Sequence, residues 1–232
     1  MAREVVTRQK KRKGKIILVL FILILLGVGG FFGYKYIDKK LHPTATEAKV
    51  LDTVETKEGY DYKYSLTDLD SKYYKEEFGK LKEILMAEPV DDEAYATQLA
   101  KCFVIDLYTM STKMNKYDVG GQEFYYSDKQ DDFGKAVMNT IYDNMIDNTY
   151  GDRKQDLPEV KEVTVNSTEK TKYLLGTTNV DGYLVKMNIT YVGIKADTAA
   201  SVVLVKEKDG KKISVVDIQN TLKPKYETVS KK

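Results

Sequence analysis

The chain is divided near its start by residues 16–34, which read IILVLFILILLGVGGFFGY. These 19 consecutive residues include no charged side chain. At about 1.5 Å per residue, a helix of this length matches the ~30 Å hydrocarbon core of a bilayer. The stretch therefore predicts a transmembrane helix at 16–37, between a short tail at 1–15 and a much larger region after it.

The residues flanking this apolar stretch indicate its orientation. Residues 1–15 hold seven Lys or Arg and one Glu, and the positive-inside bias keeps such a cluster in the cytoplasm. Because no Ala-x-Ala-like cleavage site follows closely, we expect an uncleaved anchor rather than a secretory leader. The sequence thus predicts a single-pass protein of the cell membrane, with the lipid bilayer as a partner, its N-terminus cytoplasmic and its C-terminal domain extracytoplasmic.

Two features of the anchor region have alternative interpretations. Gly29 and Gly33 form a G-x-x-x-G pair, and such small residues let two membrane helices pack closely. Glycine is also common in membrane helices without any such role. The basic run at 10–15 is explained by topology and attraction to anionic headgroups, or by docking onto a cytoplasmic partner.

Composition excludes several classes of function for the remaining chain. Residues 43–232 carry a net charge of −6, so no basic stripe for nucleic acid is expected. His42 is the sole histidine and Cys102 the sole cysteine, which leaves neither a Ser-His-Asp or Cys-His site nor a His/Cys metal cluster. We therefore expect no metal, no cofactor and no enzymatic activity. An exported domain without a disulfide is typical of a Gram-positive source.

The region after the anchor divides into a linker, one domain and a tail. Residues 38–66 are polar and without core periodicity, which predicts a linker, although the alternation of Tyr60, Tyr62 and Tyr64 leaves open a short edge strand or an aromatic flap. Residues 67–222 are predicted to form an extracytoplasmic α+β domain. Residues 223–232 form a polar tail.

The first half of this domain shows helical periodicity. Apolar side chains recur every three or four residues over 68–86, 92–114 and 128–147, which predicts three helices. The first face consists of Tyr74, Phe78, Leu81 and Leu85. Candidate N-caps are Thr67, Asp91 and Ser127, because each provides a side-chain oxygen at a helix start.

From residue 159 the apolar period changes to two. The alternation predicts four antiparallel strands in chain order, a meander, with hairpin signals at 179–182 and 209–210. An apolar sheet face needs a cover, and the three helices have apolar stripes to provide it. The expected fold class is therefore α+β, with three helices packed on a curved four-stranded antiparallel sheet.

Asp106 is the candidate site residue, because it falls within the apolar stripe of the second helix, between Phe103 and Met110. An ionised carboxylate is costly to bury without partners. Either it accepts hydrogen bonds from a Tyr hydroxyl or backbone amides in a structural role, or it faces a ligand pocket. In the second case Tyr108 and Tyr117 are the neighbouring candidates for hydrogen bonding to a ligand.

The order of these elements resembles a known class of membrane protein. A basic tail, one span, a linker, helices and a C-terminal strand meander is similar to the bitopic scaffold proteins of bacterial type IV secretion and conjugation systems. The resemblance implies a nuclear transport factor 2-like extracytoplasmic domain. The run DLYTMSTKMNKYDVGG at 106–121 also looks like a motif from exported proteins of Firmicutes.

Two hypotheses of different classes follow from these patterns. The first is a non-enzymatic assembly module that binds envelope proteins or itself, as a structural component of a conjugative transfer or secretion complex. The alternative is a small-ligand-binding or enzymatic pocket of the same fold that uses Asp106. An envelope sensor is a further option.

Overall fold

A computed structural model describes residues 47–55 and 59–219, all within one compact unit that begins at Thr46. The order of elements is two strands, two helices, three short 3₁₀ turns, a third helix and four strands. They are β1 (Val50–Glu55), β2 (Asp61–Thr67), α1 (Lys72–Leu85), α2 (Asp92–Tyr108), the 3₁₀ turns Met110–Thr112, Gln122–Phe124 and Ser127–Lys129, α3 (Gln130–Met138), β3 (Val160–Leu175), β4 (Thr178–Tyr191), β5 (Ile194–Lys206) and β6 (Ile213–Gln219).

The four C-terminal strands form one antiparallel sheet in the order β3-β4-β5-β6. Each strand pairs with the next along the chain, with Val163 opposite Ile189 and Val202 opposite Ile218, for example. The predicted three helices followed by a four-stranded antiparallel meander are therefore confirmed. Apolar residues at alternate positions of β4 and β5, such as Val185 and Leu204, are fully buried in the main core.

One predicted hairpin turn is displaced. The turn between β3 and β4 lies at Gly176, which adopts φ +63°, rather than at residues 179–182. Gly182 instead lies within β4, where a Cβ atom would stand 2.3 Å from the carbonyl oxygen of Leu204. Gly182 therefore allows β5 to lie close to β4 and does not form a turn.

The predicted linker is wrong over residues 50–55 and 61–66, which form strands. β1 and β2 pair with each other as a separate two-stranded antiparallel sheet, the N-terminal hairpin. Tyr62 and Tyr64 turn inward and are buried, and the Tyr64 hydroxyl lies 2.7 Å from that of Tyr95 on α2. The tyrosine alternation thus marks a strand with one buried face.

Helix α1 begins later than predicted. Ser71 is its N-cap and accepts a hydrogen bond from the amide of Tyr74, 3.1 Å away. The Asp70 carboxylate accepts hydrogen bonds from the amide and the hydroxyl of Thr67, which closes a turn before the helix. The predicted apolar face is confirmed, since all four of its residues are buried: Tyr74, Phe78, Leu81 and Leu85.

Helix α2 is the central element and is shorter than predicted. Asp91 caps its start, as expected, by accepting from the amides of Glu93 and Ala94. The helix ends at Tyr108 because Thr109 leaves the helical conformation, with ψ 75°, and its hydroxyl oxygen accepts from the Val160 amide at 3.3 Å.

Helix α3 stops nine residues before its predicted end at 147. The side chains of Asn139 and Thr140 bond to the carbonyls of Lys135 and Ala136, a local alternative to continued helix. Ser127 is not its N-cap, because its hydroxyl donates to Glu207 instead.

Candidate functional site

Asp106 holds the loop that follows α2. Its Oδ2 accepts a hydrogen bond from the amide of Gly121 at 2.6 Å, and its Oδ1 pairs with the ammonium of Lys113. Burial lowers the pKa of Lys113, but the charge of Asp106 outweighs it and holds that pKa above its ordinary value. Both carboxylate oxygens of Asp106 are thus engaged by the chain itself.

Gly120 and Gly121 allow this loop to approach the helix. A Cβ on Gly120 would lie 2.2 Å from the carbonyl oxygen of Asp106, and Gly121 adopts φ +77°. Only glycine fits both positions without displacement of α2. The Gly121 amide is thereby placed within hydrogen-bonding distance of Asp106.

A cavity of about 390 Å³ opens beside this loop, between the N-terminal hairpin and α2. Its lining is mostly polar and acidic: Ala48, Ser65, Thr67, Leu69, Asp70, Tyr74, Asp106, Thr112, Lys113, Asp118, Val119, Gly121, Gln122, Glu123 and Gln130. Four carboxyl groups therefore share the cavity with one ammonium group. This acidic cavity is the candidate site, and its volume suits a small ligand.

Two of its carboxyl groups retain protons more strongly than usual. Burial, together with the charge of Asp106, raises the pKa of Glu123 to about 8. Burial also raises the pKa of Asp70, against the opposing hydrogen bond from Thr67. The N-terminal hairpin provides the donors to Glu123, and sequence reasoning missed this residue because it belongs to no periodic pattern.

The other two predicted site residues do not join Asp106. Tyr108 is buried and does not line the acidic cavity, and Tyr117 is 72% exposed in the loop after Lys113. Asp106 and Tyr108 are two positions apart, which on a helix points their side chains in different directions. The predicted grouping of Asp106, Tyr108 and Tyr117 in one pocket is therefore not found.

A smaller cavity of about 240 Å³ lies at the other end of the hairpin, lined by the rings of Tyr60 and Tyr62 and by Leu85, Val90 and Asp92, among others. The Tyr60 hydroxyl donates to the carboxylate of Asp209, and the Lys211 ammonium lies 5.2 Å from the Tyr60 ring centre. The Tyr60 hydroxyl and the Lys211 ammonium are thus engaged in contacts within the chain.

The remaining predicted residues have clear positions or lie outside the described ranges. Cys102 is fully buried in α2, and burial raises the pKa of its thiol. Within residues 47–55 and 59–219, no three His, Cys, Asp or Glu side chains are placed to share a metal ion. Gly29, Gly33 and His42 lie outside the described residues.

Arg153 is a further residue that sequence reasoning missed. Its guanidinium donates to the carbonyls of Ser111, Lys113 and Ile146 at 2.9, 2.9 and 3.3 Å. It fastens the loop after α2 to residues 144–153, and the Asn148 amide adds a bond of 2.6 Å to the carbonyl of Met114. A single arginine in a polar loop gives no periodic signal in the sequence.

Comparisons with known proteins add no assignment, since no family model, curated protein or solved structure matches the chain. Among the described residues, the helices fall short of the length and apolar character that crossing a bilayer requires. The predicted anchor at 16–37 lies outside those residues.

Proposed function

We propose that the chain is a membrane-anchored, extracytoplasmic interaction module and not an enzyme. The observation that carries this proposal is the uncharged stretch at 16–34, with a basic cluster before it and a folded α+β unit after it. An anchor confines such a unit to two dimensions and raises its effective concentration toward other membrane partners.

Three exposed side chains on connected loops support a role in protein contacts. Tyr117, Ile146 and Tyr150, here named the loop patch, are 72%, 59% and 47% exposed. The loops that carry them are held together by Arg153 and Asn148. Large apolar and tyrosine side chains on a fixed surface are typical of interface cores, since they bury much area at low entropic cost.

The partners we propose are envelope proteins or a second copy of the chain. The α+β arrangement, with helices preceding an antiparallel meander, is compatible with a nuclear transport factor 2-like domain. On that basis we propose a structural role in a conjugative transfer or secretion complex of a Gram-positive cell. The expected location is the cell membrane, with the domain outside.

The first experiment tests the interaction in living cells with the full chain. A photoreactive amino acid is placed at Tyr117 or at Tyr150, and crosslinked products are identified by mass spectrometry. We expect specific products that contain envelope proteins or a second copy and that disappear when Ile146→Glu is added. Leu174, which is 60% exposed on β3, is the matched control position and should yield none. Equal crosslinking at all three positions, or none at the two tyrosines, would contradict the proposal.

The orientation has its own test. Protease added to cells stripped of their wall should digest residues 67–222 and spare the tail at 1–15. Protection of the domain under these conditions would refute the extracytoplasmic location.

A second candidate function is the binding of a small ligand in the acidic cavity, which is supported by the cavity volume of about 390 Å³ beside Asp106. General-base catalysis by Asp106 is less well supported, because Lys113 and Gly121 occupy both of its oxygens. A thermal-shift screen of small cationic compounds tests this candidate. A compound that raises the melting temperature of the wild-type chain should no longer do so in Asp118→Asn. If no compound raises it, ligand binding in the acidic cavity is not supported.

A further inference from the structure

Buried tyrosines and the Lys82–Asp52 salt bridge join the N-terminal hairpin to the rest of the domain, and the carboxyl group of Glu123 adds a further contact. Glu123 lies in the 3₁₀ turn Gln122–Phe124 and faces Ser65 on β2. Its Oε2 accepts from the Ser65 amide at 3.0 Å and from the Ser65 hydroxyl at 3.1 Å, while Oε1 lies 3.2 Å from the same amide. The two shorter bonds end on Oε2, so a proton on Oε1 leaves them intact.

The surroundings of this carboxyl group are unfavourable for a negative charge. Titratable groups face it from the turn before α1, from α1, from α2, from the loop after α2, from β2 and from the turn before β6. They are Asp70, Tyr74, Asp106, Lys113, Asp118, Tyr64 and Lys212. Three of these are carboxyl groups that share its cavity. Like charges at close range and removal from water both favour the protonated acid.

Neither nearby lysine neutralises Glu123. Lys113 is paired with Asp106, and Lys212 donates to the main-chain oxygen of Glu123 at 3.2 Å, not to its carboxyl group. Within residues 47–55 and 59–219, the salt bridges do not include Glu123. The carboxyl group is therefore held by neutral donors of the hairpin among negative neighbours.

From this geometry we propose that Glu123 is a proton-dependent latch for the N-terminal hairpin. With its proton bound, the side chain joins the hairpin to the 3₁₀ turn. Loss of the proton places a fourth negative charge in the acidic cavity and loosens the hairpin. The proposal is independent of membrane anchoring.

The direction of the pH effect follows from linkage. In the docked hairpin the pKa of Glu123 is about 8, whereas in an opened hairpin the side chain meets water and titrates near its ordinary value of 4.5. The docked state then binds more protons, so opening becomes more favourable as pH rises between these two values. The opening equilibrium should increase by at most about tenfold per pH unit in that window.

Hydrogen exchange of the full chain in detergent micelles tests the latch. We expect amides of residues 61–67 to exchange about tenfold faster at pH 7 than at pH 6, after correction for the intrinsic exchange rate. Glu123→Gln should abolish this increase, because an amide side chain keeps the acceptor and cannot ionise. Glu83→Gln, on the exposed side of α1, should retain it. An increase that persists in Glu123→Gln would overturn the proposal.

A second measurement avoids reliance on a variant that fails to fold. The side-chain carboxyl carbons of the wild-type chain, labelled with ¹³C at glutamate, are followed by NMR through the pH range. One signal should titrate near pH 8 together with amide shifts in residues 61–67. If all glutamate signals titrate below pH 6, the latch does not exist.

Discussion

A buried carboxyl group, Glu77, and a half-buried one, Glu123, have pKa values that move in opposite directions. Glu77 lies on α1 and faces α2, and its side chain is 3% exposed. Its carboxylate oxygens lie 2.8 Å from the ammonium of Lys80, 2.9 Å from the side-chain amide of Gln98 and 3.1 Å from the ammonium of Lys101. Burial alone would raise the pKa of Glu77, but these three partners together lower it. Among the described residues, the Glu123 carboxyl group accepts hydrogen bonds from Ser65 alone, and its pKa is raised. Burial favours the protonated acid at both sites, but at Glu77 the two lysines and Gln98 outweigh it, whereas at Glu123 the bonds from Ser65 do not.

The largest expected effect comes from removing a cation from the Glu77 site. Lys101→Met should lower the free energy of unfolding by about 3 kcal/mol at pH 7, because it leaves a buried carboxylate undercompensated. The pKa of Glu77 is lowered in the folded state, so its contribution is present above the unfolded value and is lost as pH falls. The deficit of the variant should therefore shrink in acid, as measured by urea denaturation at pH 7 and pH 4.

The control for this variant is Lys80→Met. The Lys80 side chain is 58% exposed, whereas that of Lys101 is 18% exposed. Pairs with an exposed partner contribute less, so we expect a loss below about 1 kcal/mol. Equal losses in the two variants would show that exposure does not distinguish these partners.

The next effect has the opposite sign. Glu123→Gln should raise the free energy of unfolding by about 2 kcal/mol at pH 8, since the wild-type chain loses stability as pH rises from 4.5 toward 8. At pH 5 the two chains should be nearly equal. Urea denaturation at both pH values measures the difference. A variant less stable than the wild-type chain at pH 8 would contradict the raised pKa of Glu123 and its contrast with Glu77.

The smallest effect tests the cause of the raised pKa. Asp70→Asn removes one negative neighbour of Glu123 and keeps an oxygen that can accept from Thr67. The pKa of Glu123 should move slightly below 8, while that of Glu77 stays unchanged. NMR titration of both side chains in one sample measures this, and a larger change at Glu77 would contradict the electrostatic explanation.

The sequence predicts the parts of this fold in which apolar residues recur at a regular period. Val185 and Leu204 fall on the buried face of strands with a period of two, and Tyr74 and Phe78 on the buried face of a helix, so the sheet and the helical faces could be predicted. The ends of elements depend on single contacts. Thr109 ends α2 through a bond to Val160, which is 51 residues away along the chain, and no local pattern contains that information.

The candidate site was predictable only in part. Asp106 interrupts an apolar stripe, which marks it as a residue that needs partners. Glu123, Arg153 and Ser65 have no such signal, because their importance comes from contacts between loops that periodicity does not describe. The alternating tyrosines of β2 were visible in the sequence, but without a partner strand in view they could not be distinguished from a polar linker.

The position of Cys102 has a practical consequence for labelling studies. The only thiol of the chain is fully enclosed in α2, and burial keeps it in the unreactive protonated form. A cysteine introduced on the surface can then be alkylated selectively while the native one stays silent. Spin labels or fluorophores can thus be attached to the hairpin or the loop patch without first altering the core.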